Sequence, residues 1–188
     1  RLSIIDLSKN ARQPLLNFSE DKVIVFNGEI YNFKSLKKFL ENKGYKFNSE
    51  SDTEVLLNSY DFWGCKCLSK LNGMFSFAIF DIKKNKIFAS RDIAGQKPFY
   101  YSLIKNNFIF GSELTTLTSN SLIKKEICLN AIDCYLTRGY SPSNKTLIKD
   151  ISKLLPGYAL EFNLNNGNLR TWNYWPYPEN KNNSLNSY

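Results

Sequence analysis

The sequence predicts an α+β fold, a layered α/β/β/α sandwich of antiparallel sheets. Short apolar runs typical of strands recur along the chain, separated by turns rich in Gly, Pro and Asn. Two helical patterns stand together early in the chain, between the second and third of these runs. The run Met74–Phe80 is almost wholly apolar, which is typical of a strand covered on both faces. Such a strand indicates layers packed on either side of its sheet.

The first two predicted strands are close in sequence, which favours an antiparallel pair. They are Arg1–Asp6 and Val23–Phe26, and a polar loop containing Gln13-Pro14 separates them. The second strand is expected to stop at Asn27-Gly28, because this pair favours a sharp change of direction with positive φ.

Two helices are predicted next. The first begins after Asn32, a suitable N-cap residue, and Gly44 supplies its C-terminal stop. The second opens with a capping box in which Ser51 and Glu54 satisfy each other's exposed backbone donors, and it ends at Gly64.

The rest of the chain is predicted as β hairpins and short helices. The strands are Met74–Phe80, Ile87–Ser90, Phe99–Leu103, Phe108–Gly111, Tyr158–Leu164 and Leu169–Trp175, and the helices are Leu129–Arg138 and one capped by Ser112 that runs to Thr118. Because the texture changes near residue 120, we expect the main domain in residues 1–120. A helix, connector and hairpin, forming a small appendage, are expected in residues 121–178, followed by a polar tail in residues 179–188.

The composition excludes several classes of protein. The chain has a net charge of +8, but its Lys residues are scattered and form no Arg/Lys stripe, so a solvated surface is favoured over nucleic-acid binding. There is no secretory signal and no apolar run near about 18 residues, so nothing predicts export or membrane insertion.

Histidine is absent from the sequence, which removes Ser-His-Asp and Cys-His mechanisms and any histidine general base. The four cysteines, Cys65, Cys67, Cys128 and Cys134, do not have zinc-site spacings, so no metal site is predicted. Reduced, incidental thiols fit best, and they favour a cytoplasmic location.

The candidate site begins at Asn27-Gly28-Glu29, where backbone donors, a side-chain amide and a carboxylate follow a strand. An ordinary strand-to-helix turn is the alternative interpretation of the same residues. Asp52 is a second candidate, although an acid in the first turn of a helix is also favoured by the helix dipole alone.

Several segments together resemble one family. They are Arg1–Asp6, Gln13-Pro14, Asn27–Asn32, Ser51–Val55, Leu71–Ile79, Arg91-Asp92, Gly95, Lys97-Pro98, Ser112-Glu113, Leu155–Gly157 and Tyr174-Trp175. In this order they resemble the glutamine-hydrolysing domain of the asparagine synthetase family, the class II amidotransferases with an N-terminal-nucleophile fold. Arg91-Asp92 is interpreted as a structural ion pair or a domain-interface element.

The resemblance implies roles for the candidate residues. Members of the family attack the side-chain amide of glutamine with an N-terminal cysteine whose own α-amine is the base. The Asn27 amide and the Gly28 N–H would then stabilise the oxyanion. Arg1 would bind the substrate α-carboxylate, while Glu29 and Asp52 would face its polar and ammonium groups. A frayed terminal charge at Arg1 and an exposed turn carboxylate at Glu29 are the alternatives.

The sequence also departs from the family. The N-terminal cysteine segment is not in the sequence, and none of the four cysteines carries a free α-amine. The synthetase domain, which would bind ATP and Mg²⁺ and activate aspartate, is not in the sequence either. We therefore expect a fragment that is inactive alone, with glutamine as its own partner and no cofactor. Another acceptor for the ammonia, or a non-catalytic glutamine-binding module, are alternatives, and a homodimer is compatible with the sequence.

Overall fold

The computed structural model describes residues 11–141 and 144–175. Its strands are β1 (Leu15–Leu16), β2 (Lys22–Ile30), β3 (Gly73–Asp81), β4 (Lys86–Arg91), β5 (Tyr100–Ile104), β6 (Asn107–Gly111), β7 (Ser152–Lys153), β8 (Tyr158–Asn163) and β9 (Leu169–Asn173). Its helices are α1 (Phe33–Glu41), α2 (Asp52–Trp63), α3 (Leu114–Thr118) and α4 (Leu129–Arg138), with a 3₁₀ helix at Gly64–Lys70. The predicted strand at 1–6 and the tail at 179–188 lie outside the described residues.

The strands form two antiparallel sheets. The larger sheet has the order β1-β2-β3-β4-β8-β9, and the smaller has the order β6-β5-β7. Helices α1 and α2 cover one face of the larger sheet, and the smaller sheet packs on its other face. Helix α3 packs on the outer face of the smaller sheet. The predicted α/β/β/α sandwich is therefore confirmed.

Strand β3 lies inside the larger sheet and is covered on both faces, as its apolar sequence predicts. Phe75, Phe77 and Ile79 alternate towards the helices, where they join the core with α1 and α2. Ala78 and its cross-strand neighbour Ala89 point the other way. These two small side chains leave room for the aromatic residues that the smaller sheet places opposite them.

Strand β2 does not stop where the sequence predicts. It continues through Asn27 and Gly28 to Ile30, and β3 pairs with it along its whole length. Gly28 does have the expected positive φ, +147°, which glycine adopts readily, and the strand continues through it. The prediction of a turn at Asn27-Gly28 was wrong because strand pairing outweighs the local preference of the dipeptide.

The second helix begins with half of the predicted capping box. Ser51 Oγ accepts a hydrogen bond from the Thr53 N–H at 3.1 Å. Glu54, however, accepts from the N–H groups of Asn48 and Ser49, at 2.9 and 2.8 Å, rather than from Ser51. The loop before α2 folds back over the first turn, and so it brings these two donors to the carboxylate.

The hairpin β8–β9 is part of the larger sheet. β8 pairs with β4 from Ser90↔Ala159 to Lys86↔Asn163. The sequence predicted that this hairpin belongs to an appendage beyond residue 120. The hairpin instead extends the main sheet, because the edge of β4 that does not pair with β3 pairs with β8. No helix in the described part of the chain is long and apolar enough to cross a membrane.

Candidate active site

The candidate site lies at an open edge of β2. β1 pairs with β2 at Val23 and Ile24, and beyond that point the described residues place no strand along this edge. Two side chains take its backbone donors instead. The Phe26 N–H donates to Gln13 Oε1 at 2.7 Å, and the Ile30 N–H donates to Asp52 Oδ2 at 3.0 Å.

The Gly28 N–H lies between these two donors on the same edge. Phe75, which faces Gly28 across the ladder, donates its N–H to Asp92 Oδ2 and accepts from the Asp92 N–H. Both backbone groups of Phe75 therefore point towards β4. Because hydrogen-bonded and non-bonded pairs alternate in an antiparallel ladder, the N–H and C=O of Gly28 point away from β3.

A glycine is required at position 28 by the neighbouring strand. A Cβ built there would lie 2.1 Å from the Met74 carbonyl oxygen and 2.7 Å from the Phe75 Cα. The close approach that demands glycine is thus that of the β3 backbone.

The Asn27 side chain points between the two sheets. Val25 packs in the core between the sheets, whereas Ile24 and Ile30 pack against the helices, so the odd-numbered residues of β2 face the smaller sheet. Asn27 Nδ2 donates to Ser112 Oγ at 3.2 Å. Ser112 was predicted to cap α3, but the N-cap residue of α3 is Glu113. The Ser112 hydroxyl accepts the hydrogen bond from Asn27 instead.

A cavity of about 580 Å³ opens beside Asn27. Its described lining includes Gln13, Asn27, Gly28, Ser112 and Glu113. Polar groups from the loop before β1, from β2 and from the segment after β6 therefore converge on one space. A cavity of this size is sufficient for an amino-acid side chain.

Asp52 is the first residue of α2 and is only 5% exposed. Burial raises the pKa of its carboxyl above the usual value, and the charge of Glu29 raises the pKa further, while hydrogen bonds from backbone N–H groups oppose the shift. Glu29 is half-buried and lies two residues beyond Asn27 on β2. The structure thus brings Asp52, Glu29, Gly28 and Asn27 to one end of β2.

One further candidate, Arg1, lies outside the described residues. The four cysteines are free thiols, and none is among the described residues that line the cavity. Cys67 is fully buried, and burial raises the pKa of its thiol, which disfavours the nucleophilic thiolate. The described residues contain no group of three or more acidic, Cys or His side chains able to hold a metal ion.

Arg91 and Asp92 organise the loop at the end of β4 through hydrogen bonds to backbone groups. They were predicted to form either a structural ion pair or a domain-interface element, and an ion pair between them is not among those formed by the described residues. The Arg91 guanidinium donates to the carbonyls of Gly95, Lys97 and Leu154 at 2.6–2.8 Å. Asp92 is buried, and its carboxylate accepts from three backbone N–H groups. Both residues therefore have a structural role in this loop.

The sequence did not predict a role at the site for Gln13, which belongs to the segment Gln13-Pro14, or for Ser112, which was predicted to cap a helix. Their partners lie 13, 40 and 85 positions away along the chain. Local spacing carries no signal for such contacts, which depend on how the strands pack.

A family model described as a glutamine amidotransferase domain matches residues 1–175. The chain belongs to this family.

Curated relatives of the domain include glutamine-hydrolysing asparagine synthetases. The domain is 40% identical to putative asparagine synthetase 2 of Methanocaldococcus jannaschii over 96% of this chain and 38% of the relative. It is 38% and 42% identical to asparagine synthetases 3 and 1 of Bacillus subtilis, over 93% and 84% of this chain and 28% and 24% of those proteins. The chain thus spans less than half the length of these relatives.

Solved structures with the same fold include the allosteric regulatory enzyme of purine biosynthesis, with a TM-score of 0.61 and 21% identity over 89% of this chain and 32% of that one. Glutamine phosphoribosylpyrophosphate amidotransferase from B. subtilis gives a TM-score of 0.58 and 20% identity over 88% of this chain and 32% of that one. At this identity the likeness shows the fold.

Proposed function

We propose that this domain binds glutamine at the open edge of β2 and, within a longer cytoplasmic protein, releases ammonia from its side-chain amide. The ammonia would pass to an aspartate carboxylate activated with ATP, giving asparagine. The observation that carries the proposal is the Gly28 N–H, which lies on an open strand edge beside the Asn27 amide and the cavity.

These two donors suit the chemistry of amide hydrolysis. When a nucleophile attacks the amide carbon, negative charge develops on the oxygen, and donors fixed in advance stabilise it. The Gly28 N–H is turned away from β3. The Asn27 amide has two N–H donors, one of which binds Ser112. We assign the oxyanion to Gly28 N–H and to the other hydrogen of Asn27 Nδ2.

The charged end of glutamine needs partners of both signs. The Asp52 carboxylate would accept a hydrogen bond from the ammonium group. Glu29, whose charge acts on Asp52, would add a second negative charge that attracts the ammonium group. Arg1 would bind the α-carboxylate through its planar fork, which suits bidentate binding.

The nucleophile would be a cysteine from a segment outside this chain. Its thiolate would attack the amide carbon, ammonia would leave with a proton returned by the α-amine, and water would then cleave the thioester to give glutamate. ATP and Mg²⁺ would be held by the part of the longer protein that activates aspartate. The identity of 38–42% to asparagine synthetases supports aspartate as the acceptor.

The test is Asn27→Ala in the longer protein that carries the cysteine. We expect the turnover number for glutamine hydrolysis to fall by about 10²–10³-fold, because one oxyanion donor is lost, and KM to change little. Asn130→Ala, an exposed position on α4, is the matched control. Unchanged turnover in Asn27→Ala, or a wild-type protein that hydrolyses no glutamine, would contradict the proposal.

A further inference from the structure

We propose that Gln13 is a positioning residue that fixes the Gly28 N–H by tying the open edge of β2 to the N-terminus of α2. This inference rests on the proposed function, because it assigns a role within the same glutamine site.

Gln13 uses both ends of its side-chain amide. Its Oε1 accepts from the Phe26 N–H at 2.7 Å, and its Nε2 donates to Thr53 Oγ1 at 3.5 Å, the outer limit of a hydrogen bond. Thr53 follows Asp52, whose carboxylate accepts from the Ile30 N–H. The N-terminal turn of α2 therefore holds β2 at two points, directly through Asp52 and through Gln13.

These two points bracket Gly28. Phe26 lies two residues before it and Ile30 two residues after it, and their N–H groups point to the same edge as the Gly28 N–H. On the described part of that edge, side chains take the outer donors, and the central donor remains between them. Asp52 and Gln13 thus form a clamp on either side of the backbone group to which we assign the oxyanion.

A clamp is needed because, among the described residues, no strand supports this edge beyond Ile24 as strands normally support each other in a sheet. A strand neighbour would fix the edge, but it would also occupy the Gly28 N–H. Gly28 itself has a φ of +147°, a conformation that only glycine adopts readily, and it carries no side chain to anchor the backbone. A displacement of about 1 Å at a catalytic group can lower the rate about 10²-fold.

The side-chain chemistry at position 13 is specific. Glutamine both accepts and donates, so it can join a backbone N–H to a hydroxyl. Glutamate would keep the acceptor for Phe26, lose the donor to Thr53 and add a negative charge near Asp52. Alanine would remove both contacts and leave the Phe26 N–H without its partner.

The experiment compares Gln13→Ala and Gln13→Glu with wild type in the longer, glutamine-hydrolysing protein. We expect Gln13→Ala to lower the turnover number by about 10- to 100-fold while KM changes by less than about threefold, because the oxyanion donor moves and the substrate partners stay. Gln13→Glu should recover part of the loss, since it keeps the Phe26 acceptor. Gln96→Ala is the matched control, because the Gln96 side chain is exposed and its hydrogen bond to Asp92 uses the backbone N–H.

Amide hydrogen exchange on the 188-residue chain gives a second readout. In Gln13→Ala we expect faster exchange at Phe26 than in wild type, with the centre of β3 unchanged, because one clamp is lost while the sheet persists. Global loss of protection would indicate a general structural role and would overturn the inference.

The two proposals fail in different ways. If wild type hydrolyses glutamine and Asn27→Ala is impaired, but Gln13→Ala has the turnover number of wild type, then the positioning role is wrong and the glutamine site stands. A loss in Gln13→Ala that Gln13→Glu does not relieve at all, and that follows the fall in melting temperature, would also overturn the positioning role.

Discussion

At the residue scale, Asp52 makes a structural hydrogen bond, but its burial makes ionisation of its carboxyl less favourable. Its buried carboxylate accepts the Ile30 N–H and so holds the end of β2. Burial nevertheless raises the pKa of this carboxyl, so ionisation is less favourable in the folded chain than in the unfolded one. As the pH rises, the unfolded state releases the Asp52 proton first. The contribution of Asp52 to stability therefore falls between the ordinary aspartate pKa and the raised pKa of the folded state.

Asp52→Asn should separate these effects. The amide oxygen can still accept from the Ile30 N–H, and the buried charge is removed, so we expect a higher melting temperature than wild type at pH 7. The difference should shrink as the pH falls below about 4, the ordinary aspartate pKa, because Asp52 of wild type then becomes protonated in both the folded and the unfolded state. Thermal unfolding of the 188-residue chain from pH 3 to pH 8 measures it.

The same substitution should weaken glutamine binding by about tenfold or more, because a neutral amide oxygen replaces the carboxylate that accepts from the glutamine ammonium group. Calorimetric titration with glutamine checks this in the longer protein. Asp133→Asn, an exposed position on α4, should change neither property. If the stability difference for Asp52→Asn does not depend on pH, then ionisation of Asp52 is not the cause.

Individual contacts at the site were only partly predictable. Asn27 and Asp52 stand out in the sequence because they belong to recognisable motifs. The partners of the site do not, since the bond between Asn27 and Ser112 joins residues 85 positions apart. Local rules assigned Ser112 to a helix cap, and packing of the two sheets gave its hydroxyl to Asn27 instead.

At the element scale, β2 and β3 approach each other closely because each has a glycine opposite the other's backbone. A Cβ on Gly28 would lie 2.1 Å from the Met74 oxygen, and one on Gly73 would lie 2.2 Å from the Glu29 oxygen. The positive φ at Gly28 was predictable from the Asn-Gly pair, whereas the continuing strand was not. Pairing with β3 across the larger sheet decides the element, and a dipeptide rule does not include it.

Gly28→Ala should therefore destabilise the chain by more than about 2 kcal/mol, because it combines backbone strain with a clash against rigid backbone. Gly44→Ala is the matched control, since Gly44 also has a positive φ, +90°, but a Cβ there has open space within 4 Å. We expect that control to cost about 1 kcal/mol. Urea unfolding of both variants measures the difference, and equal costs would contradict the close approach of β3.

At the scale of the whole molecule, the layered architecture was predictable and the extent of the main sheet was not. An almost wholly apolar β3 requires cover on both faces, so two layers around it follow from the sequence alone. The sequence of β8–β9 predicts two strands joined by a turn, but this pattern does not show which edge strand of the sheet the hairpin joins. Its place beside β4 depends on β8 being apolar on both faces, because Ala159 joins the core with the helices and Leu160 joins the core between the sheets.

The position of β8 predicts that the hairpin is needed for stability. A chain that ends after Pro156 would lose β8 and β9, and the hydrogen-bonding edge of β4 would be exposed. Phe88 of β4 would also lose Trp172 of β9, which stacks on it with ring centroids 6.1 Å apart. It would also lose Phe162, a fully buried side chain that stacks on Phe108 of β6. An exposed apolar strand edge promotes aggregation.

We expect the chain ending after Pro156 to be insoluble or to lack a cooperative thermal transition. The truncation removes core side chains from both faces of the larger sheet, and each large side chain contributes about 3–5 kcal/mol. A chain ending at Trp175 keeps both strands and is the control. Circular dichroism melting and soluble yield compare the two. If residues 1–156 fold with the melting temperature of the control, then β8–β9 is an appendage, and the boundary near residue 120 that the sequence predicts is the better description.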